Sequence, residues 1–238
     1  NNIDIISAEA MSMLERLVFP MCGRYSLLTT TEDLVKRYGL NRPEVDYNPA
    51  GEIFPTQEAP VIIPLAGKGE GLNNDSYQTR RLVNYRWGFS LPFTSRPIIN
   101  ARGETVDKKR AFQRAFQDKR CLIPATGFFE WQDTGAGKKK FQIILKQQEI
   151  FSLAGLFATF QDKDGTSYQA FTIITTEASP RLEQIHNRMP VILSPEDEET
   201  WLDRETDLPA VKELIRPYQD SHLAIESDGQ QLNLTFPD

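Results

Sequence analysis

The sequence predicts a single α+β domain built on a mainly antiparallel, curved or barrel-like β-sheet with flanking helices. Three observations lead there. Five β-type runs follow one another over residues 120–176, with separations too short and turn-rich for the crossover helices that parallel pairing requires. The helical patterns are few, and most carry their own capping residues. The 238 residues contain no Pro/Ser-rich linker, low-complexity tract or fixed-period repeat, so residues 21–238 read as one domain.

In chain order, residues 22–28 alternate well enough for a strand. Thr30 then caps a helix with Glu32 and Asp33 in its first turn, and Gly39 closes it. Residues 47–60 carry Pro49, Pro55 and Pro60 and are expected to form an ordered loop without regular structure. Residues 61–65 read as a short strand and 67–74 as a turn or insertion. In residues 81–87, Leu82, Asn84 and Arg86 alternate with Val83, Tyr85 and Trp87, the pattern of a half-buried strand.

After Asn100 the pattern predicts a helix of about eleven residues, with Phe112 and Phe116 on its buried face and Lys109, Arg110 and Arg114 turned away. Strands follow at 120–124, 127–132, 141–146, 151–157 and 169–176. A short helix is expected over 180–185. Another begins at Ser194, with Pro195 at its first position and Glu196 and Asp197 in its first turn.

Two cysteines, Cys22 and Cys121, lie far apart and form no CxxC pair, which argues against a disulfide framework or a zinc site and fits a reducing cytoplasm. No apolar run reaches the roughly 20 residues of a membrane span. Residues 1–20 lack the basic and apolar regions of a signal peptide and do not begin with Met. They are read as a prefix: an expression remnant, a misplaced start or a pro-segment. The net charge is −6, yet it is segregated. Residues 80–120 hold eleven basic against three acidic side chains, and residues 195–238 hold three against twelve. A polyanion responds to the local face, so the basic stretch is either a solvated surface or a nucleic-acid contact.

Met21-Cys22 is the pair with unusual chemistry. Removal of Met21 would leave a 1,2-aminothiol whose amine and thiol are both nucleophiles near neutral pH. An aldehyde meeting it can be taken as an imine and closed by sulfur into a thiazolidine. Glu130 sits in an apolar run, Gly127-Phe128-Phe129-Glu130-Trp131. It either turns to solvent by strand alternation or faces inward and needs a cation, for which the Cys22 ammonium would serve. His186 is either a surface or capping residue or an acid/base; the other histidine, His222, lies in the acidic tail. Asn100 and Arg102 combine an amide with a guanidinium, suited to orienting a carbonyl oxygen and gripping a phosphate, or else form an ordinary turn. Cys121, in an apolar run, reads as core packing.

The ordered motifs MCGRYS, YNPAGEIFPTQ, RWGFSLP, INARGET, RCLIPATGFFEW, LAGLFATF, FTIITTEAS and IHNRMPVIL closely resemble the SRAP family, the SOS-response-associated proteins that process abasic sites in single-stranded DNA. The likeness runs from Met21 to about Trp201. It implies a barrel-like α+β domain with a basic channel for single-stranded DNA, working as a monomer in the bacterial cytoplasm without metal or cofactor and associated with the nucleoid when on DNA. Residue by residue, it implies Cys22 as nucleophile, Asn100 as the oxygen-orienting amide, Glu130 as the carboxylate and His186 as the imidazole. Arg102 and Arg188 match phosphate-contacting arginines, Arg24 matches less closely, and Trp87 matches an aromatic at the DNA surface. The YNPAGEIFPTQ loop is longer than the family's usual one. The family's peptidase label keeps open a cysteine protease or amino-terminal-nucleophile hydrolase using Cys22 and His186, with self-processing and strand cleavage as further activities. A non-covalent DNA-binding module is the third alternative.

Overall fold

The computed structural model describes residues 22–40, 43, 45–65, 79–92, 94–227 and 230–231. The expected prefix over 1–20 and the turn expected over 67–74 lie outside them. The chain runs through β1 (Tyr25–Leu27), α1 (Thr31–Tyr38), β2 (Ala50–Ile53), β3 (Glu58–Pro64), β4 (Arg80–Trp87) and β5 (Asn100–Arg102). A 3-10 turn (Gly103–Thr105) leads to α2 (Gln113–Asp118), β6 (Arg120–Ala125), β7 (Gly127–Asp133), β8 (Lys138–Leu145), β9 (Phe151–Gln161) and β10 (Ser167–Glu177). The remainder is α3 (Pro180–Glu183), β11 (Arg188–Pro190), β12 (Ile192–Leu193), α4 (Asp197–Leu202), α5 (Leu208–Glu213), β13 (Leu223–Ser227) and β14 (Gln230–Gln231).

Strands β10, β4, β3, β6 and β9 hydrogen-bond in that order, and β9 pairs back onto β10, closing a barrel. The pairings are antiparallel except those of β10 with β4 and β5. A second, antiparallel sheet has the order β14-β13-β8-β7-β1-β2. Only Thr126 separates β6, in the barrel, from β7, in the second sheet. That step brings Glu130 on β7 beside the segment leading into β1, since Tyr25 registers with Phe128. Arg120 anchors the start of β6: its buried guanidinium donates to the main-chain carbonyls of Phe116, Gln117, Trp201 and Asp203, the exposed ends of α2 and α4. No helix among the described residues is long and apolar enough to cross a membrane.

Two expectations are corrected. Residues 47–60 are not without regular structure, because the interval between Pro49 and Pro55 forms β2 against β1, and β3 starts at Glu58. β3 passes through Pro60 because its register with β6 is confined to Ile62↔Leu122, leaving Pro60 outside that ladder. The long helix after Asn100 is also absent. β5 and the 3-10 turn use the first residues, and α2 covers only Gln113–Asp118. Tertiary packing overrides the pattern there: a Cβ on Gly103 would lie 2.2 Å from Ile215 Cγ2, so the chain is pressed flat against its neighbours. Phe112 and Phe116 are buried and Lys109, Arg110 and Arg114 exposed, as the periodicity implied.

Candidate active site

Cys22 is 2% exposed and adopts φ 42°, a left-handed conformation uncommon for a residue with a side chain. Its main-chain nitrogen donates to Glu130 Oε1 at 2.9 Å, and its thiol donates to the same oxygen at 2.7 Å. Glu130 faces inward and is 2% exposed, so the alternation that would have turned it to solvent does not hold in β7. Burial raises its pKa; the nearby His186 and the Cys22 hydrogen bonds pull the other way. The Cys22 thiol is pushed well above its ordinary value, first by burial and then by the Glu130 charge, with Arg188 opposing. The sulfur is therefore a thiol at neutral pH.

His186 is half-buried in the turn after α3. Its Nδ1 lies 3.1 Å from the Arg188 main-chain nitrogen, whose N–H it accepts, and 3.3 Å from the Arg188 carbonyl oxygen; the shorter contact favours the neutral ring with its proton on Nε2. Gln132 Nε2, two residues beyond Glu130 on β7, donates to the Gln184 carbonyl at 2.7 Å and ties this turn to the second sheet. Arg188 opens β11 with a side chain only 11% exposed. Its two terminal nitrogens bond Glu104, and Nη2 also donates to the Thr175 carbonyl at 2.8 Å. A phosphate would thus meet an Arg188–Glu104 pair rather than a free cation.

Asn100 and Arg102 lie on β5, opposite Ile173 and Thr175 of β10. Asn100 is half-buried and Arg102 exposed. Arg24 is held at 2.8 Å by Glu52, which also takes Lys140, and its guanidinium lies 4.3 Å from the Phe54 ring centroid and 4.9 Å from that of Trp131. The structure thus brings Cys22, Glu130, His186 and Arg188 into one electrostatic neighbourhood and sets Asn100 and Arg102 on the strand beside β10.

Trp87 does not belong with them. It is 0% exposed, stacked on Phe171 with ring centroids 6.2 Å apart, and its Nε1 donates to the Ile99 carbonyl. A large ring in a closed barrel fills the core, so the expectation of an aromatic at a DNA surface is corrected. Partly exposed aromatics that flank the Arg24 guanidinium are instead Phe54 and Trp131. Sequence reasoning passed over Glu104, Glu52 and Gln132. The first stood inside INARGET, yet it entered only as one acid in a basic stretch. Among the described residues no group of three His, Cys, Asp or Glu side chains is placed to hold a metal ion.

The barrel, the flanking sheet and a buried cysteine sharing one carboxylate oxygen through both nitrogen and sulfur define an α+β protein with a buried cysteine–carboxylate site. Comparison with known proteins narrows this class. The chain belongs to the SOS response associated peptidase (SRAP) family, whose model matches residues 21–233. It is 35% identical over 207 residues to the abasic site processing protein YoqW of Bacillus subtilis, covering 83% of this chain and 88% of that one. It is 30% identical to the abasic site processing protein YedK of Escherichia coli, covering 78% and 81%. A solved structure of a Bacteroides thetaiotaomicron protein, 27% identical, superposes with a TM-score of 0.72 over 87% of this chain and 91% of that one.

Proposed function

We propose that this protein processes abasic sites in single-stranded DNA, and that Cys22, once Met21 is removed, captures the abasic aldehyde as a thiazolidine. The observation that carries the reading is the convergence of the Cys22 nitrogen and sulfur on Glu130 Oε1, at 2.9 and 2.7 Å. An ordinary cysteine nucleophile needs no such treatment of its nitrogen. A 1,2-aminothiol does. The names of the relatives support the substrate.

The chemistry follows from the protons. An abasic sugar is mostly a closed hemiacetal. His186 relays a proton at Nε2, giving one to the ring oxygen as its bond to C1′ breaks and taking the one the C1′ hydroxyl loses, so the ring ends neutral and an aldehyde is left. The Cys22 amine attacks C1′ while Glu130 takes the amine proton, a transfer favoured by a carboxylate of raised basicity. Loss of water gives the imine. The thiol then adds across C=N, carbon gaining the sulfur and nitrogen the proton, so the net loss is one water. Asn100 orients the carbonyl oxygen, and Arg102, with Arg24, contacts phosphates. The alternative of a cysteine protease is opposed by the thiol itself, which burial and Glu130 hold protonated instead of poised as thiolate.

The test mixes chain beginning at Cys22 with single-stranded oligonucleotide carrying uracil, treated or untreated with a uracil glycosylase. A heat-stable shifted band is expected only after glycosylase treatment, and its absence refutes the reading. Roles separate by kinetics. His186→Ala should slow adduct formation by about 10- to 10⁴-fold with DNA affinity nearly intact. Arg102→Ala should instead weaken binding across sequences and flatten its salt dependence by about one charge. Unchanged binding of Arg102→Ala at every salt concentration would remove the phosphate assignment.

A further inference from the structure

We propose that Glu104 is a positioning residue for His186: by gripping Arg188 it clamps the turn carrying the imidazole to the segment carrying Asn100 and Arg102. The two segments lie on opposite flanks of β10. Thr175 registers with Arg102 of β5 on one side and with Pro190 of β11 on the other. Among the described residues the strand pairings that link them run through β10. The side chain of Arg188 supplies a second link, bonding Thr175 on β10 and both carboxylate oxygens of Glu104 beyond it, with Nη2–Oε2 at 3.0 Å.

A bidentate guanidinium–carboxylate pair fixes direction as well as distance, because both groups are planar. Here the pair is also built in. Gly103, next to Glu104, has no room for a Cβ, which would meet Ile215 Cγ2 at 2.2 Å and the Thr175 carbonyl at 3.3 Å, so the turn presenting Glu104 is packed onto β10. The other end of the clamp reaches the chemistry directly. Arg188 donates its own main-chain N–H to His186 Nδ1 at 3.1 Å, a shorter contact than the 3.3 Å from Nδ1 to its carbonyl oxygen, and so favours the tautomer that leaves Nε2–H for the substrate. Without Glu104, Arg188 is a buried cation lacking its partner, free to draw β11 and the turn out of place.

The kinetic side of this inference rests on the proposed reaction; the spectroscopic side does not. Glu104→Gln, which keeps shape and loses charge, and Glu104→Ala are compared with the parent in single-turnover adduct formation. The maximal rate should fall about 10-fold while half-saturating DNA stays within about twofold, and neither variant should lose anything further in a His186→Ala background. Nitrogen-15 spectra of histidine-labelled protein should show Nε2–H at His186 in the parent and a mixture of tautomers in Glu104→Gln, with His222, the only other histidine, as internal reference. An unchanged His186 spectrum overturns the inference. So does equal loss in both backgrounds, or tighter DNA binding at unchanged rate, which would make Glu104 a competitor of phosphate. Absence of adduct with the parent would refute the proposed reaction and leave the spectrum to decide on Glu104.

Discussion

A chain that keeps Met21 should give no adduct with abasic single-stranded DNA, whereas the same chain begun at Cys22 should give a heat-stable one. With Met21 attached, the Cys22 nitrogen is an amide whose lone pair is delocalised into the carbonyl, so no imine forms and the thiol has nothing to close upon. The sulfur alone yields only a reversible hemithioacetal. The geometry needs little adjustment after processing, because the nitrogen already lies 2.9 Å from Glu130 Oε1 and would exchange one N–H for three. Cys22→Ala in the processed form separates the two atoms: its amine can form an imine trapped by borohydride, but no stable ring. Denaturing gels with intact-mass verification of the amino terminus read all three forms. A Met21-bearing protein that crosslinks as well as the processed one would remove the aminothiol from the mechanism.

How far the sequence revealed this site depends on which physical signal each residue left. Cys22 stands out in the sequence because the chemistry available to Met-Cys is covalent and local, and the structure adds its contacts to Glu130. Glu130 was ambiguous: alternation placed it outside, whereas β7 is buried from Gly127 to Glu130, since the strand steps straight out of the barrel and packs on both faces. Trp87 went wrong for a related reason. Its strand did bury Val83, Tyr85 and Trp87 on one face, but that face lines a closed barrel, and barrel closure is a property of β9 pairing with β10 that no local pattern encodes. β2 was hidden because prolines on both sides of it outweighed four unremarkable residues. The capping reading of α1 matched in detail: Thr30 and Asp33 form a reciprocal capping box and Gly39 takes φ 61°. The Arg188–Glu104 pair, 84 residues apart in sequence, left no trace that charge counting could separate from a solvated surface.

Glu130→Gln should reduce adduct formation by about 10²- to 10⁴-fold, and its effect on stability should change sign when Met21 is removed. In the Met21-bearing chain the carboxylate is buried without an ammonium partner and its pKa is raised by desolvation. A group whose folded pKa lies above its unfolded one contributes stability below the ordinary carboxylate range, and loses it as pH rises through the raised value. Glutamine has no such loss. It also keeps both hydrogen bonds, because the Cys22 N–H and S–H converge on one oxygen that the amide retains. The Gln variant of this form should therefore melt higher than its parent near pH 7, and the gap should close towards pH 4. In the processed chain the Cys22 ammonium faces the same carboxylate, and removing the anion leaves a buried cation unpaired. There the Gln variant should melt lower. Thermal denaturation of four proteins, parent and variant with and without Met21, at pH 4, 5.5 and 7 measures the whole cycle. The same sign of shift in both forms would mean that Glu130 does not hold the amino group, and the proton acceptor for amine attack would have to be sought elsewhere.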